Sequence, residues 1–438
     1  MSDVEGYWPI YPVSMDADAA DGTGGTGGTD NTGGAHEDDA SAVELRAALA
    51  RTVRSLAHIP RLPTSDGERR AAEIIRRRFE AAGCATTVEE EPAYPSYARP
   101  IGLLCAAAAV SGLLAGRERG RGWRSAAGAL TGAAAAWGVV DDITGGRLLA
   151  RRVLTRPRTT QNVLAEAGDP TADRTLVVLV HHDAAPSGVV FEQHLEHWLA
   201  ARHPEVVDKM TSNPPMWWPV IAGPVTVALG SALRAGFLRR TGIWISALSA
   251  AALADIASRP AVPGANDNLS GVAAALAAAQ ALHARPVAGV RVRFVSAGAE
   301  EALQQGVRAF AHRHFGRLAP DRTWFLTLDT VGSGRLVLLE GEGPVRMHDY
   351  EAPFKALVAD CARRAGIPVL RGLRSRNSTD GSVPHRHGFP TATLVSVDEH
   401  KLLPHYHLDS DTPDNVDYRC VADAAHLTEA VARRLAAP

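Results

Sequence analysis

The sequence predicts an α/β fold: a three-layer sandwich with a mostly parallel central sheet and helices on both faces, carrying two inserted hydrophobic helical hairpins. Two patterns point there. Short apolar runs alternate with longer segments of helical periodicity, the order that sets parallel strands side by side beneath crossover helices. Four uncharged stretches, paired around arginines, interrupt that alternation.

A chain of 438 residues exceeds the usual single-core size, and the order of its motifs favours one large domain with additions over two domains. Hydrophobic residues at 46% and charged residues at 21% allow a substantial core. A formal net charge of -2, with no dense basic stripe, argues against a surface that neutralises phosphates, so nucleic acid is not an expected partner. Cys84, Cys105, Cys361 and Cys420 are far apart and form no CxxC pair. They read as reduced thiols of a reducing compartment. Basic charge is almost wholly arginine, which suggests a GC-rich genome.

Residues 1–42 form an acidic, Gly/Thr/Asp-rich tail. It has too little apolar surface to offset the entropy of ordering and is expected to be disordered. The start, Met1-Ser2-Asp3-Val4-Glu5, lacks a basic and then apolar leader, so signal-peptide export is not expected and the chain reads as cytoplasmic or membrane-associated. Helical spacing then covers residues 42–54 and 66–82, with Gly83 ending the second helix, and a strand follows at 86–90.

Uncharged runs come next between Pro100 and Arg117 and at 125–140, separated by Arg117, Arg119, Arg121 and Arg124, and later at 216–233 and 243–254, separated by Arg234, Arg239 and Arg240. These are the two hairpins, inserted at about 100–141 and 215–257. Each run is shorter than the roughly 20 residues that span a bilayer, which fits a soluble helical cap. Arginine tips and Trp217, Trp218 and Trp244 near the ends fit a small membrane-embedded bundle equally well. Arginines flank both ends, so charge does not choose an orientation. Further strands are expected at 176–180, 290–295, 324–328 and 391–395, with helices at 269–284, 302–315, 351–365 and 417–435.

The chemistry gathers where these strands end. His181-His182-Asp183 follows the run from Leu176 to Val180. Glu300-Glu301 follows the strand at 290–295, and Asp329 follows Leu328. Asp267 sits in a Gly-bearing turn that opens a helix, and His405 and His407 lie in the loop before the last helix. Singly, each has an ordinary reading as a cap, a turn former or a solvated pair. Jointly, histidines and carboxylates converging on the carboxyl edge of one sheet form the mixed donor set that zinc takes.

His181-x-Asp183, Gly264-Ala265-Asn266-Asp267-Asn268-x-Ser270-Gly271, Gly298-Ala299-Glu300-Glu301, Leu328-Asp329-x-x-Gly332 and Tyr406-His407 with Asp411-Thr412 resemble the M28 metallopeptidase family, in the family's order. The resemblance covers residues 43–438 apart from the two hairpins. It implies a zinc exopeptidase-like fold, two zinc ions, and an aminopeptidase that acts on peptides with a free N-terminus. His181 and Asp329 would hold one zinc, Glu301 and His407 the other, and Asp267 would bridge them. Glu300 would be the general base, and Asp183 would hydrogen-bond His181.

Two departures from the family pattern stand out. Gly381 replaces the histidine of a Ser-Asp-His block, which leaves the contribution of that block open. Ala302-Leu303-Gln304-Gln305 replaces a Gly-Ser pair, a change expected to concern helix packing more than catalysis. The rival readings are a glutaminyl cyclase-like aminoacyltransferase with a single zinc and an inactive, membrane-anchored peptidase-like protein. Ligands for both metals and the base are all present, which favours hydrolysis.

Overall fold

The computed structural model describes residues 32–116 and 122–437, with the side chains of the first helix from Ala40 onward. Helix α1, Thr32–Ala57, begins inside the segment expected to be disordered; residues 1–31 of that segment lie outside the described residues. Its buried Leu49, Val53 and Leu56 fix the helix, and once such a turn exists each added residue gains a hydrogen bond at little further entropy. Helix α2, Asp66–Ala81, starts at Ser65, whose Oγ accepts from the Glu68 amide, and buries Ala71, Ala72, Ile75 and Phe79.

Strand β1, Ala85–Ala93, pairs antiparallel with β2, Arg158–Gly168. Between them come α3, Ala98–Gly116, α4, Gly122–Ile143, and the short α5, Leu149–Leu154. The expected arginine tip at 117–121 lies outside the described residues. After β3, Thr175–His181, two short helices follow, α6, His194–Arg202, and α7, Pro204–Lys209. The second hairpin is α8, Trp218–Ala232, and α9, Gly236–Ser258.

Alternation then resumes with α10, Leu269–Ala284, β4, Arg291–Ala297, α11, Gln305–His314, and β5, Thr323–Leu328. Strands β6, Arg335–Leu338, β7, Gly341–Glu342, and β8, His348–Asp349, precede α12, Ala352–Arg364. Strand β9, Arg374–Ser375, α13, Ser382–Arg386, β10, Thr391–Val397, and α14, Tyr418–Ala436, complete the chain.

Among the described residues the main sheet has the order β1-β2-β4-β3-β5-β10-β6. Its centre, β4-β3-β5-β10, is parallel, and β2 and β6 flank it antiparallel. One face packs on α1, α2, α10 and α14 through residues such as Leu276, Phe294 and Leu427; the other packs on α11 and an aromatic group of Phe310, Phe315, Phe325 and Phe389. This is the expected three-layer sandwich. In register, His181 at the end of β3 pairs with Ala297 at the end of β4, which sets the first histidine beside the turn that bears Glu300.

The two hairpins pack on each other as one four-helix bundle of α3, α4, α8 and α9. Tyr97, Ile143, Phe191, Ile256, Leu303 and Tyr406 join its base to the sheet domain. Helices α3, α4 and α9 run past the uncharged stretches, and Ala98–Gly116 and Gly236–Ser258 are long and apolar enough to cross a membrane by length and composition, whereas α8, Trp218–Ala232, is shorter. The expectation that each run is shorter than a span holds for α8 and gives way in α3 and α9, where it counted only the uncharged residues.

Candidate metal centre

The carboxyl edge of the parallel strands gathers the expected residues. His181 Nε2 lies 3.3 Å from Asp267 Oδ1, and His407 Nε2 lies 3.3 Å from Asp267 Oδ2 and 3.2 Å from Glu301 Oε2. Donor atoms of His181, Asp267 and Asp329 lie within 4.8 Å of one another, as do those of Asp267, Glu301 and His407 and those of His181, Glu300 and Glu301. The first two groups share Asp267. All these side chains are buried.

Local chemistry explains why the motif residues are these types. Asn268 Oδ1 accepts from the Gly271 and Thr330 amides, while its Nδ2 donates to the Leu328 carbonyl. Ser270 Oγ donates to the Asn266 carbonyl and accepts from the Val331 amide, and Asn266 Oδ1 accepts from the Gly332 amide. The start of α10 is thereby tied to the end of β5, and Asp267 to Asp329. Gly271 permits the closest approach, since a Cβ there would lie 2.7 Å from the Leu328 carbonyl oxygen.

Two buried aspartates hold ligand-bearing backbone. Asp183 accepts from the Glu300 and Glu301 amides at 3.1 and 2.9 Å, and Asp411 accepts from the Asn266 and Asp267 amides at 2.7 and 3.1 Å. The expected contact of Asp183 with His181 Nδ1 spans 3.5 Å, long for a hydrogen bond. The grip of Asp183 on the Glu300–Glu301 turn is the stronger feature. Glu68 supports the same turn, accepting from the Ala299 amide and the Thr160 hydroxyl.

The fully buried guanidinium of Arg61 donates to the carbonyls of Leu56, Ile59, His182, Pro263 and Gly264, bracing the loops that carry His181 and Asp267. Sequence reasoning missed Arg61 and Glu68, and it used Asp411 only for its spacing. Ala299, Leu303, Gln304, Thr330 and His407 all adopt positive φ around the site, a concentration of backbone strain typical of functional constellations.

Of the two departures, one carried an expectation that the structure extends and the other was left open. Gln304 does more than pack a helix: its Nε2 donates to Glu300 Oε1 and to the Ser378 carbonyl, each at 2.9 Å, and so fixes the Glu300 carboxylate. The block around Gly381 forms part of the site, because Thr379 lines the pocket and the buried Asp380 has no hydrogen-bond partner at either carboxylate oxygen. A Cβ at Gly381 would lie 2.5 Å from Thr393 Oγ1 and 3.0 Å from the Tyr350 hydroxyl. That hydroxyl bonds to Glu342 and Thr393, so a histidine has no room there. His182 faces away, with its Nδ1 3.0 Å from Ser296 Oγ, and His405 pairs with Ser410.

The electrostatics fit a cationic guest. Burial pushes the Glu300 and Asp380 carboxyls well above the usual range and Asp329 up to about 7, with neighbouring carboxylates adding to each. Burial also works against the charge of Asp267, but hydrogen bonds from His181 and His407 outweigh it and hold that carboxyl below the usual range. Burial works likewise against protonated His407, yet Glu301 and Asp267 raise it to about 10. Crowded buried carboxylates that draw positive charge onto imidazoles are relieved by a divalent ion. Glu301 Oε1, buried and without a partner, is a free donor for one.

A cavity of about 350 Å³ opens over Asp267, Glu300, Glu301, Asp329 and His407. Val337, Leu339, Val395 and Val397 give it an apolar wall, and Phe191, Gln193 and Met216 cover it from the segment after β3.

Residues 253–432 match the model of peptidase family M28, a span that includes Asp267, Glu300, Glu301, Asp329 and His407. No curated protein is matched. Among solved structures, the aminopeptidase from Aneurinibacillus sp. strain AM-1 is 16% identical over 88% of this chain and 92% of its own, with a TM-score of 0.51. BSAP, a zinc aminopeptidase from Bacillus subtilis, is 14% identical over 88% of this chain and 94% of its own, also at 0.51. A glutaminyl cyclase from Bacteroides thetaiotaomicron is 13% identical over 89% of this chain and 97% of its own, again at 0.51. These likenesses show a shared fold. Over residues 253–432, the part that carries most of the candidate site residues, the chain is similar in sequence to peptidase family M28.

Proposed function

We propose that the protein is a dinuclear zinc aminopeptidase that releases N-terminal residues from peptides. The observation that carries this reading is the pair of three-residue donor groups hinged on Asp267. His181 and Asp329 would hold one zinc, Glu301 and His407 the other, with Asp267 between them. Bound zinc supplies Lewis-acid chemistry, acidifying water and polarising the scissile carbonyl.

The protein's own groups do the rest. Glu300 takes a proton from the attacking water and returns it to the leaving amine. Gln304 holds Oε1 of Glu300 and leaves Oε2 for the proton. Asp183, Asp411, Glu68 and Arg61 fix the backbone of the ligand loops, so the donors need no reorganisation when substrate arrives. The carboxylates around the site favour a protonated α-amine, which selects the free N-terminus, and the apolar wall receives the first side chain.

Hydrolysis of aminoacyl amides, compared with their N-acetylated forms, tests this reading. The free amines are expected to react and the blocked ones not, and Glu300→Ala should lower kcat by ~10² to 10⁴ while bound zinc is retained. Cyclisation of N-terminal glutamine without amide hydrolysis would move the reading to the aminoacyltransferase that shares this fold.

A further inference from the structure

The bundle of α3, α4, α8 and α9 turns the usual arrangement inside out. Glycines line its axis. A Cβ at Gly132 would meet the Ala228 nitrogen at 2.8 Å, one at Gly223 the Ser246 nitrogen at 2.8 Å, and one at Gly242 the Val227 nitrogen at 2.5 Å. The helices therefore approach backbone to backbone. Ile101, Val139, Val227 and Leu253 pack inside, but many of the large apolar side chains point outward, with Leu130 72% exposed, Leu248 66%, Trp244 69% and Phe237 80%. Water disfavours such a continuous apolar surface. Hydrocarbon reverses the preference, because small residues then let helices touch while large ones face the solvent.

Charge follows the same axis. Residues 100–116, 125–140, 218–232 and 241–254 contain no Asp, Glu, Lys or Arg. Arg99, Asp141, Asp142 and Asp255 sit near the sheet domain, and Arg124, Arg234, Arg239 and Arg240 at the far end. Exposed tryptophans mark both levels with an arginine over the ring: Trp123 with Arg124 at 5.3 Å on the far side, and Trp218 with Arg376 at 5.7 Å and Trp198 with Arg202 at 5.6 Å on the near side. Amphipathic rings with a cation at the rim are what a headgroup layer accepts. At 19 residues in α3 and 23 in α9, the helices are ~28 and ~34 Å long, against a hydrocarbon thickness of ~30 Å.

We propose that a lipid bilayer covers the bundle and anchors the peptidase domain as an integral membrane protein. Phe191 and Met216 belong both to the packed base of the bundle and to the lining of the catalytic cavity, which Pro219 of α8 also lines. The cavity therefore lies at headgroup level, and peptides reach it along the membrane surface. This anchoring stands or fails apart from the peptidase reading.

The test uses the full chain. Membranes containing it are washed with alkaline carbonate, and the protein purified in detergent is reconstituted into phosphatidylcholine vesicles whose acyl chains carry bromine, a contact quencher of tryptophan. The expected results are retention in the carbonate pellet and strong quenching that is mostly lost when Trp123, Trp137, Trp218 and Trp244 are replaced by phenylalanine. Release by carbonate would overturn the proposal. So would recovery without detergent, either as a monodisperse monomer or as a closed dimer in which a second copy covers the apolar faces; neither outcome depends on how the variant folds.

Discussion

The sheet domain and the helical bundle are built from similar residues placed in opposite ways. In the sheet domain Phe79 and Phe294 stack at 5.6 Å beneath a fully buried layer of Val, Leu and Ala. In the bundle, glycines sit at the closest helix contacts while Leu130, Leu248, Trp123 and Trp244 face outward. Hydrophobic content therefore does not reveal how a segment packs; the radial order of side-chain size does. The polar groups divide as well. Those at the sheet edge are committed to a buried network around Asp267, whereas the bundle carries none of the donor groups.

The sharpest break between the regions is predicted for truncations of equal kind. Phe294→Ala should destabilise the sheet domain by ~3 to 5 kcal/mol. Leu130→Ala, which removes an outward side chain, should change unfolding by about 0.5 kcal/mol or less. Denaturant melts followed by near-ultraviolet circular dichroism compare the two, and equal losses would erase the contrast.

A pH series sharpens the polar side. Burial raises Glu342 from 4.5 to about 7. The folded state therefore binds this proton more tightly than the unfolded state does, and the stability it contributes is complete below the unfolded value and lost as pH rises through about 7. The metal-free protein should melt lower at mildly alkaline than at mildly acidic pH, with up to about 3 kcal/mol from this group. Glu342→Gln should flatten that dependence, measured by calorimetry.

Smaller effects are expected one layer out from the donors. Asp411→Ala frees the Asn266 and Asp267 amides and should weaken zinc binding ~10- to 100-fold in competition with a chelator. Gln304→Ala loosens Glu300 instead and should lower kcat by ~10-fold or more with zinc affinity unchanged. Loss of zinc in the Gln304 variant would mean that Glu300 serves the metal rather than the proton.

The sequence made the parallel strands legible because β3 is a nearly continuous apolar run and β4, β5 and β10 are rich in Val, Leu and Phe, and it made His181, Glu300, Glu301 and Asp329 legible because they end or closely follow strands. Strand β2 was not legible. Its Val163, Leu164 and Ala165 sit among Gln161, Asn162 and Glu166, and only the neighbouring β1 and β4 give that mixture a place. The bracing groups escaped for another reason: Arg61 acts on Pro263, 202 residues away, and Asp411 on Asn266, 145 residues away. Both act through backbone carbonyls or amides, which every residue has, so no residue pattern announces such a contact. Gln304 was visible as a departure, but its contact with Glu300 was not, because the residue adopts a positive φ that periodicity does not predict.

The central claim is that Asp267 joins two metal sites. Elemental analysis of zinc per chain, after saturation and removal of free ion, tests it most directly. Two zinc ions per chain are predicted for the intact protein and for Glu300→Ala. A single zinc at saturation, or none, would contradict the account.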